Sequence, residues 1–361
     1  MRRRSIPLGL LACALALGCH HEVEMLPLTE RTIYVTDKFY DVQAPSKDHA
    51  YVVGYGGKIL ETSNGGSSWD VRPSGTELAL YGIEMADEKN GFIVGQEGII
   101  LHTADGGKTW QPQESNATFK DSDGAPKRAY LFALDVLDAN TAFAVGDRST
   151  LTMTTDGGKT WKASKVKMEL DTSGGESLAA ADPIFYGVRF IDPQNGWIVG
   201  EFGKIMHTTD GGQTWKEQEK TLLEGTGFFD LLDLPTLFGI HVTDAEHAMA
   251  GGLEGHVART SDGGGRWGFE KIDAGDIPLV DPIYDVTELP DGTGWGVGAA
   301  GEVIRKGPAD PAWTRAKIGQ DVLTWLRKIA FSDPQHGWMV GGFGLIFRTT
   351  DGGKTWLPSQ G

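Results

Sequence analysis

The chain has 361 residues, 40% of them hydrophobic, and its 51 glycines and 16 prolines are typical of a globular fold with many turns. The formal net charge of −16 at pH 7 argues against a nucleic acid as partner, because this balance attracts no polyanion.

The first 18 residues have the pattern of an export signal. Three arginines at positions 2–4 precede an apolar run over 6–17 that is too short to span a bilayer. The run ends in Gly18 and Cys19, which resembles a bacterial lipobox with Cys19 as the lipidated residue. We therefore expect a signal peptide over 1–18, a polar tether over 19–31, and a lipid anchor in the cell envelope, on the periplasmic side or at the outer membrane. An ordinary signal peptide cleaved nearby is the alternative.

The chain has two cysteines, and both lie in this N-terminal part. Cys13 would leave with the signal and Cys19 would carry lipid, so the mature chain would hold no thiol for a disulfide, for catalysis or for a metal. The histidines lack the spacing of metal ligands. We therefore expect neither a metal nor a cofactor.

From residue 32 to 361 one unit repeats. Seven tryptophans end its copies, at intervals of 41 to 54 residues: Trp69, Trp110, Trp161, Trp215, Trp267, Trp313 and Trp356. Each unit contains four short β-rich runs bounded by Gly, Asp and Asn turns. This period and strand count predict an all-β, seven-bladed β-propeller of four-stranded antiparallel blades. A further strand-like piece at 32–36 could pair at an edge or help to close the ring.

The turn before each tryptophan has its own chemistry. Its pattern is Thr-x-Asp-Gly-Gly-x-Thr-Trp, as in Thr103–Trp110, with Asn64 in the first copy and a degraded copy before Trp313. The glycines allow the positive φ of a tight turn, and the carboxylate can accept bonds from backbone N–H groups across it. Because the Asp recurs, we interpret it as structural rather than catalytic in the five copies that keep it: Asp105, Asp156, Asp210, Asp262 and Asp351.

This turn resembles the Asp box of bacterial neuraminidase repeats. The whole unit, best seen over Tyr186–Trp215, is similar to a unit of the photosystem II stability/assembly factor family, and the similarity covers roughly residues 38–361. The resemblance implies a seven-bladed, non-enzymatic propeller. The photosynthetic members of that family help to assemble photosystem II, binding its reaction-centre precursor protein and using an arginine-rich patch. It predicts a monomeric assembly or stability factor with a protein partner, such as a membrane-protein assembly intermediate.

Function is expected on the face that carries the blade-to-blade crossings and the turns between second and third strands, because long loops over a rigid scaffold collect binding residues. Three crossings, at 114–128, 163–182 and 217–236, are long, and the third holds the apolar Phe228 and Phe229. Either this stretch is exposed to a partner, or it folds back on the propeller or forms a short helix. The second-to-third turns supply the candidate partner-binding aromatics Tyr55, Phe202 and Phe343.

A repeated first-strand position would line the central channel. It is aromatic in six copies and Arg327 in the seventh, followed by Lys328. Arg189 lies three residues after the same position in its own copy, and Arg148 lies in a turn on the same face. These four cations could form a basic mouth for a carboxylate. The alternative is that they pair with Glu84, Asp135 or Asp285 around the channel.

Two other functions are compatible with the repeat. An Asp-box glycoside hydrolase of the sialidase type would need three converging arginines and an Arg-Ile-Pro strand, and no Arg-Ile-Pro triplet occurs. A scaffold in an envelope or transport complex unrelated to photosynthesis would differ only in its partner. The sequence favours a binding protein over an enzyme.

Overall fold

The computed structural model describes residues 31–167, 182–224 and 226–359. From Thr32 onward the chain forms one compact unit. Cys19, the predicted signal peptide and most of the 163–182 crossing lie outside the described residues.

Seven sheets follow one another along the chain, each an antiparallel meander of four consecutive strands. Blades 1 and 2 contain β1 Phe39–Gln43, β2 Ala50–Gly54, β3 Ile59–Thr62, β4 Asp70–Arg72, β5 Leu80–Met85, β6 Gly91–Gly95, β7 Ile100–Thr103 and β8 Gln111–Gln113. A hairpin of β9 Thr118–Lys120 and β10 Pro126–Arg128 precedes blade 3, which contains β11 Leu131–Val136, β12 Ala142–Gly146, β13 Thr150–Thr154 and β14 Lys162–Lys165.

Blades 4 and 5 contain β15 Phe185–Phe190, β16 Gly196–Gly200, β17 Ile205–Thr208, β18 Lys216–Glu217, β19 Leu237–Val242, β20 Ala248–Gly252, β21 Val257–Thr260 and β22 Gly268–Phe269. Blades 6 and 7 contain β23 Ile272–Asp273, β24 Ile283–Glu288, β25 Gly294–Gly298, β26 Val303–Lys306, β27 Trp313–Arg315, β28 Leu326–Phe331, β29 Gly337–Gly341, β30 Ile346–Thr349 and β31 Leu357–Pro358. The short β23 adds a fifth, parallel strand beside β27. The predicted seven-bladed, all-β propeller is confirmed.

Short 3-10 helices occupy most second-to-third turns and the long crossing into blade 5. Their bounds are Tyr55–Gly57, Gln96–Gly98, Asp147–Ser149, Glu201–Gly203, Glu219–Leu223, Leu231–Asp233, Leu253–Gly255 and Ala299–Gly301. No helix in the described part of the chain is long and apolar enough to cross a membrane.

The core lies between blades rather than within one layer. The second strand of every blade is buried along its whole length, as in Gly91–Gly95. Gly95 ends such a strand where a Cβ would lie 2.1 Å from the carbonyl oxygen of Ala79, so the first strand can pass this close only to a glycine. The repeated tryptophans fill the space between neighbours: Trp161 of blade 3 meets Phe92 of blade 2 edge to face, with ring centroids 5.6 Å apart.

The ring closes by packing of blade 1 against blade 7. The ring centroids of Trp69 and Trp338 lie 5.5 Å apart, and Trp69 Nε1 donates to Ser359 Oγ at 3.0 Å. The piece at 32–36 forms no strand. It leads instead to Asp37, whose carbonyl oxygen accepts a bond from Gly344 N in the blade 7 turn at 2.8 Å. The N-terminal segment therefore helps to close the ring through a turn contact rather than through a shared strand.

Candidate functional site

The two faces of the propeller carry different loops. Because consecutive strands are antiparallel, the second-to-third turns and the blade-to-blade crossings share one face, called here the upper face. The Asp-box turns and the first-to-second turns share the other, as shown by the bond from Gly106 N to Lys89 O.

The Asp-box turns are held by a fixed set of local bonds. In blade 2, Thr103 Oγ1 donates to Asp105 Oδ1 at 2.9 Å, and the backbone N and Oγ1 of Thr109 donate to the same carboxylate at 2.9 and 2.7 Å. These bonds, chiefly the one from the Thr109 hydroxyl, lower the pKa of Asp105 to about 2. The arrangement recurs at Asp156, Asp210 and Asp351. At Asp262 the backbone N–H bond is kept, but the second hydroxyl bond is absent because Arg266 replaces the second threonine. Each carboxylate is therefore engaged within its own turn, as expected of a folding element.

An aromatic collar surrounds the central channel just below the upper face. We define it as the six aromatic first-strand residues Tyr40, Tyr81, Phe132, Tyr186, Phe238 and Tyr284. Successive rings of the collar lie 5.3 to 5.4 Å apart, each contributed by the next blade. Trp325, in the crossing into blade 7, stacks parallel to Tyr40 at 5.7 Å. The channel that these residues line has a cavity of about 240 Å³.

Arg327 completes the collar in blade 7. Its guanidinium carbon lies 5.2 Å from the centre of the Tyr284 ring and 6.0 Å from that of Phe238, so the cation rests on aromatic faces. One of its N–H groups donates to the carbonyl oxygen of Tyr284 at 3.3 Å. Burial lowers the pKa of Arg327, although an arginine stays protonated in proteins. Within the described ranges, no carboxylate forms an ion pair with it.

An ionic layer lies below the collar. Arg189 Nη1 is 2.9 Å from Glu84 Oε1 and 2.6 Å from Asp135 Oδ1, which joins blades 2, 3 and 4. Lys328 Nζ is 3.1 Å from Asp285 Oδ1. Of the four predicted cations, two are thus paired with channel carboxylates, which is the alternative that the sequence left open.

The same carboxylates join neighbouring first strands. Asp135 Oδ2 accepts from Phe190 N at 2.7 Å, Asp285 Oδ2 from Ile329 N at 3.1 Å, and Asp41 Oδ2 from Ile83 N at 2.8 Å. First strands of different blades share no ladder, so these side chains supply the bonds between them. Burial raises the pKa of Asp41 and of Asp135 to about 6 in each case. We expect these groups to hold the ring together.

Arg148 stands apart from the channel cations. It is exposed at the apex of the blade 3 turn, and its guanidinium lies 4.6 Å from the centre of the Phe119 ring in the hairpin. Phe202 and Phe343 occupy the equivalent apex in blades 4 and 7, and all three have positive φ, between 52° and 58°. Tyr55 lies one position earlier in its turn, where Gly56 takes the positive φ. The structure therefore brings Arg327, Lys328 and Arg189 to the channel and spreads the other four predicted residues over the upper face.

Exposed apolar side chains concentrate on the upper face. Of the twelve large hydrophobic residues that are exposed in the described part of the chain, ten lie in its turns, its crossings or the segment entering β1. These ten are Tyr34, Val35, Tyr55, Phe229, Leu232, Leu253, Ile277, Val280, Leu323 and Phe343. Phe229 is 95% exposed, whereas its neighbour Phe228 folds back onto Phe269 and His256. In the 217–236 crossing, Phe229 is thus exposed to a possible partner, while Phe228 packs back on the propeller.

Sequence reasoning missed several residues of this site. Trp325 and Leu323 lie in a crossing without repeat signal. Asp41 lies one residue after the collar position, where Asp285 and Lys328 also lie in their blades, and alignment of that position could have found it. Over the residues described, no group of three or more His, Cys, Asp or Glu side chains could hold a metal ion.

Comparison with known proteins identifies the family. The family described as "Photosynthesis system II assembly factor YCF48" matches residues 22–118, 176–234 and 306–360, together more than half of the chain. The chain belongs to this family. It is 29% identical over 218 residues to the photosystem II assembly lipoprotein Ycf48 of Synechococcus sp. (strain CC9902), a match that covers 60% of this chain and 57% of that relative. The curated relatives it matches are named as assembly factors and not as enzymes.

Solved structures share the fold. The structure described as "YCF48 bound to D1 peptide" superposes with a TM-score of 0.64 at 20% identity, covering 89% of this chain and 96% of the other. A GH74 xyloglucanase from Xanthomonas campestris superposes with a TM-score of 0.66 at 12% identity, covering 92% of this chain and 55% of that one. At these identities the similarity concerns the propeller alone.

Proposed function

We propose that this family member is a non-catalytic assembly factor that holds a segment of a membrane protein, the D1 protein of photosystem II, on its upper face. The observation that carries the proposal is the concentration there of exposed apolar side chains around a channel mouth lined with tyrosines. Exposed apolar groups gathered on one face of a soluble domain mark a protein-binding surface. The family membership and the D1 peptide in a related structure support D1 as the partner.

The chemistry of the channel supports a binding role over an enzymatic one. Asp135 and Asp285 each accept a main-chain N–H of the next blade and face a cation, and Glu84 shares Arg189. A glycoside hydrolase needs two free carboxyl groups: one protonates the leaving-group oxygen of the substrate, and the other attacks the sugar or activates a water. The channel carboxylates are instead committed to holding blades together.

We also propose that the chain is exported and anchored by lipid at Cys19, as a monomer. The Cys19 pattern and the naming of relatives as lipoproteins support this. Substitution of Cys19 by Ala should release the protein from the membrane fraction while leaving the fold intact, which carbonate extraction and circular dichroism would measure.

The binding function is tested by affinity capture. The tagged mature protein is incubated with detergent-solubilised membranes of a photosynthetic host, and D1 in the eluate is quantified by immunoblot. The double variant Tyr55→Ser, Phe343→Ser removes two exposed aromatics from the upper face, and Val71→Ser, Leu357→Ser is the matched control on the outer strands. Capture should fall several-fold in the first variant only. Recovery of other envelope proteins without D1, or turnover of a glycan substrate by the purified protein, would contradict the proposal.

A further inference from the structure

We propose that the mouth of the channel is a binding site for one carboxylate group, with Arg327 as its anchoring cation and the collar tyrosines as additional hydrogen-bond donors. This deepens the function proposed above, since the carboxylate would belong to the bound polypeptide. The group is either a free C-terminus or an Asp or Glu side chain.

Arg327 has donors left for a ligand. A guanidinium carries five N–H groups in a planar fork that matches a carboxylate in two parallel bonds. The Tyr284 carbonyl takes one of these N–H groups, and the aromatic faces below accept none in the plane of the fork. In the rest of the described channel, the cations have carboxylate partners: Arg189 has two, and Lys328 has Asp285. Arg327 is therefore the channel cation that lacks a carboxylate partner among the described residues.

The surroundings of Arg327 can accommodate the ligand. The cavity of about 240 Å³ far exceeds the ~10–15 Å³ that a single water requires. Tyr40 and Tyr186 are close enough for Arg327 to act on the pKa of their hydroxyls, although burial raises both pKa values. Burial raises the pKa of Tyr81 to about 12, so its hydroxyl stays protonated and able to donate.

The charge below the collar favours a singly charged ligand. Asp41, Glu84, Asp135 and Asp285 lie in the channel lining with only Arg189 and Lys328 to oppose them. A dianion such as phosphate would meet this negative excess, whereas one carboxylate is balanced by Arg327. Arg189 also reaches Glu84 two blades away, so its side chain lies across part of the channel below the collar.

The test uses small probes that do not depend on the natural partner. N-acetyl-alanyl-alanine presents a C-terminal carboxylate, N-acetyl-aspartyl-amide presents a side-chain carboxylate, and N-acetyl-alanyl-alaninamide presents neither. Binding to the mature protein is measured by isothermal titration calorimetry at low salt. We expect at least one carboxylate probe to bind about tenfold or more tightly than the amide, which corresponds to about 1.4 kcal/mol. The stronger of the two carboxylate probes identifies the source of the group.

Arg327→Tyr restores the aromatic residue class of the other six blades and should abolish the preference for carboxylate. Arg327→Gln is a second variant if the first does not fold, as judged by circular dichroism. Arg128→Gln, which removes an exposed arginine of the hairpin before blade 3, is the control and should leave binding unchanged. Equal binding of carboxylate and amide probes, or carboxylate binding that survives both Arg327 substitutions, overturns the proposal. Failure of D1 capture with intact carboxylate binding would overturn only the proposed function, and the reverse result only this inference.

Discussion

Replacing Arg189 with Met should destabilise the propeller in a strongly pH-dependent way. Arg189 lies 2.9 Å from Glu84 and 2.6 Å from Asp135, whose side chains are 20% and 3% exposed, while its own side chain is 33% exposed. Removing one partner of a buried ion pair costs about 3–5 kcal/mol, because it leaves a buried charge uncompensated. Since Arg189 is itself partly solvated, we expect a loss of about 3 kcal/mol at pH 7, the lower end of that range.

The pH dependence follows from Asp135. Its pKa is already raised to about 6 by burial, and Arg189 is the main influence that holds it down. Without Arg189 the pKa rises further above the value of about 3.9 in the unfolded chain. A carboxyl group with a raised folded-state pKa adds stability at low pH that is lost as pH rises, so the deficit of the variant should shrink between pH 7 and pH 5.

Urea denaturation of wild type and Arg189→Met at pH 7 and pH 5 measures both effects. The double variant Arg189→Met, Asp135→Asn should recover much of the loss at pH 7, since the amide oxygen can still accept the Phe190 N–H bond. Arg148→Met is the control, with a change within about 0.5 kcal/mol as for most surface sites. An equal deficit at both pH values, or no recovery in the double variant, would refute the reasoning.

Three further outcomes follow from the structure. Asp105→Ala should lower the free energy of unfolding by about 1–2 kcal/mol, as for a lost cap. Asp105→Asn should cost less, because Asn64 fills the same role in blade 1, where its side-chain oxygen lies 3.0 Å from Ser68 N. Equal urea midpoints for the two variants would contradict this. Asp41→Asn should flatten the fall in stability that the wild type shows from about pH 4 to pH 6, because the pKa of Asp41 is raised to about 6 by burial; an unchanged pH profile of the melting temperature argues against it. Ser359→Ala should cost about 1–3 kcal/mol by leaving the Trp69 indole N–H without its acceptor, and a melting temperature equal to that of the wild type would show that this contact does not help to close the ring.

The fold could be predicted from the sequence because of the repeat. Seven copies of one unit, each ending in Trp, specify seven equivalent blades, because a unit of this size buries its apolar faces only against its neighbours. The Asp-box bonds were likewise predictable, since they join residues four or fewer positions apart. The break at Arg327 was visible as a departure from an aromatic position.

Only the tertiary structure decided what each channel cation does. Arg189 and Glu84 are 105 residues apart, and no local pattern states that strands β5 and β15 place them 2.9 Å apart. The sequence identifies Arg189, Arg327 and Lys328 equally as channel cations. In the structure Arg189 and Lys328 pair with carboxylates, whereas Arg327 packs on aromatic rings. The sequence determined the blades because that information is local and repeated. The charge balance of the channel depended on which blades face one another around the ring, and this is a property of the closed propeller alone.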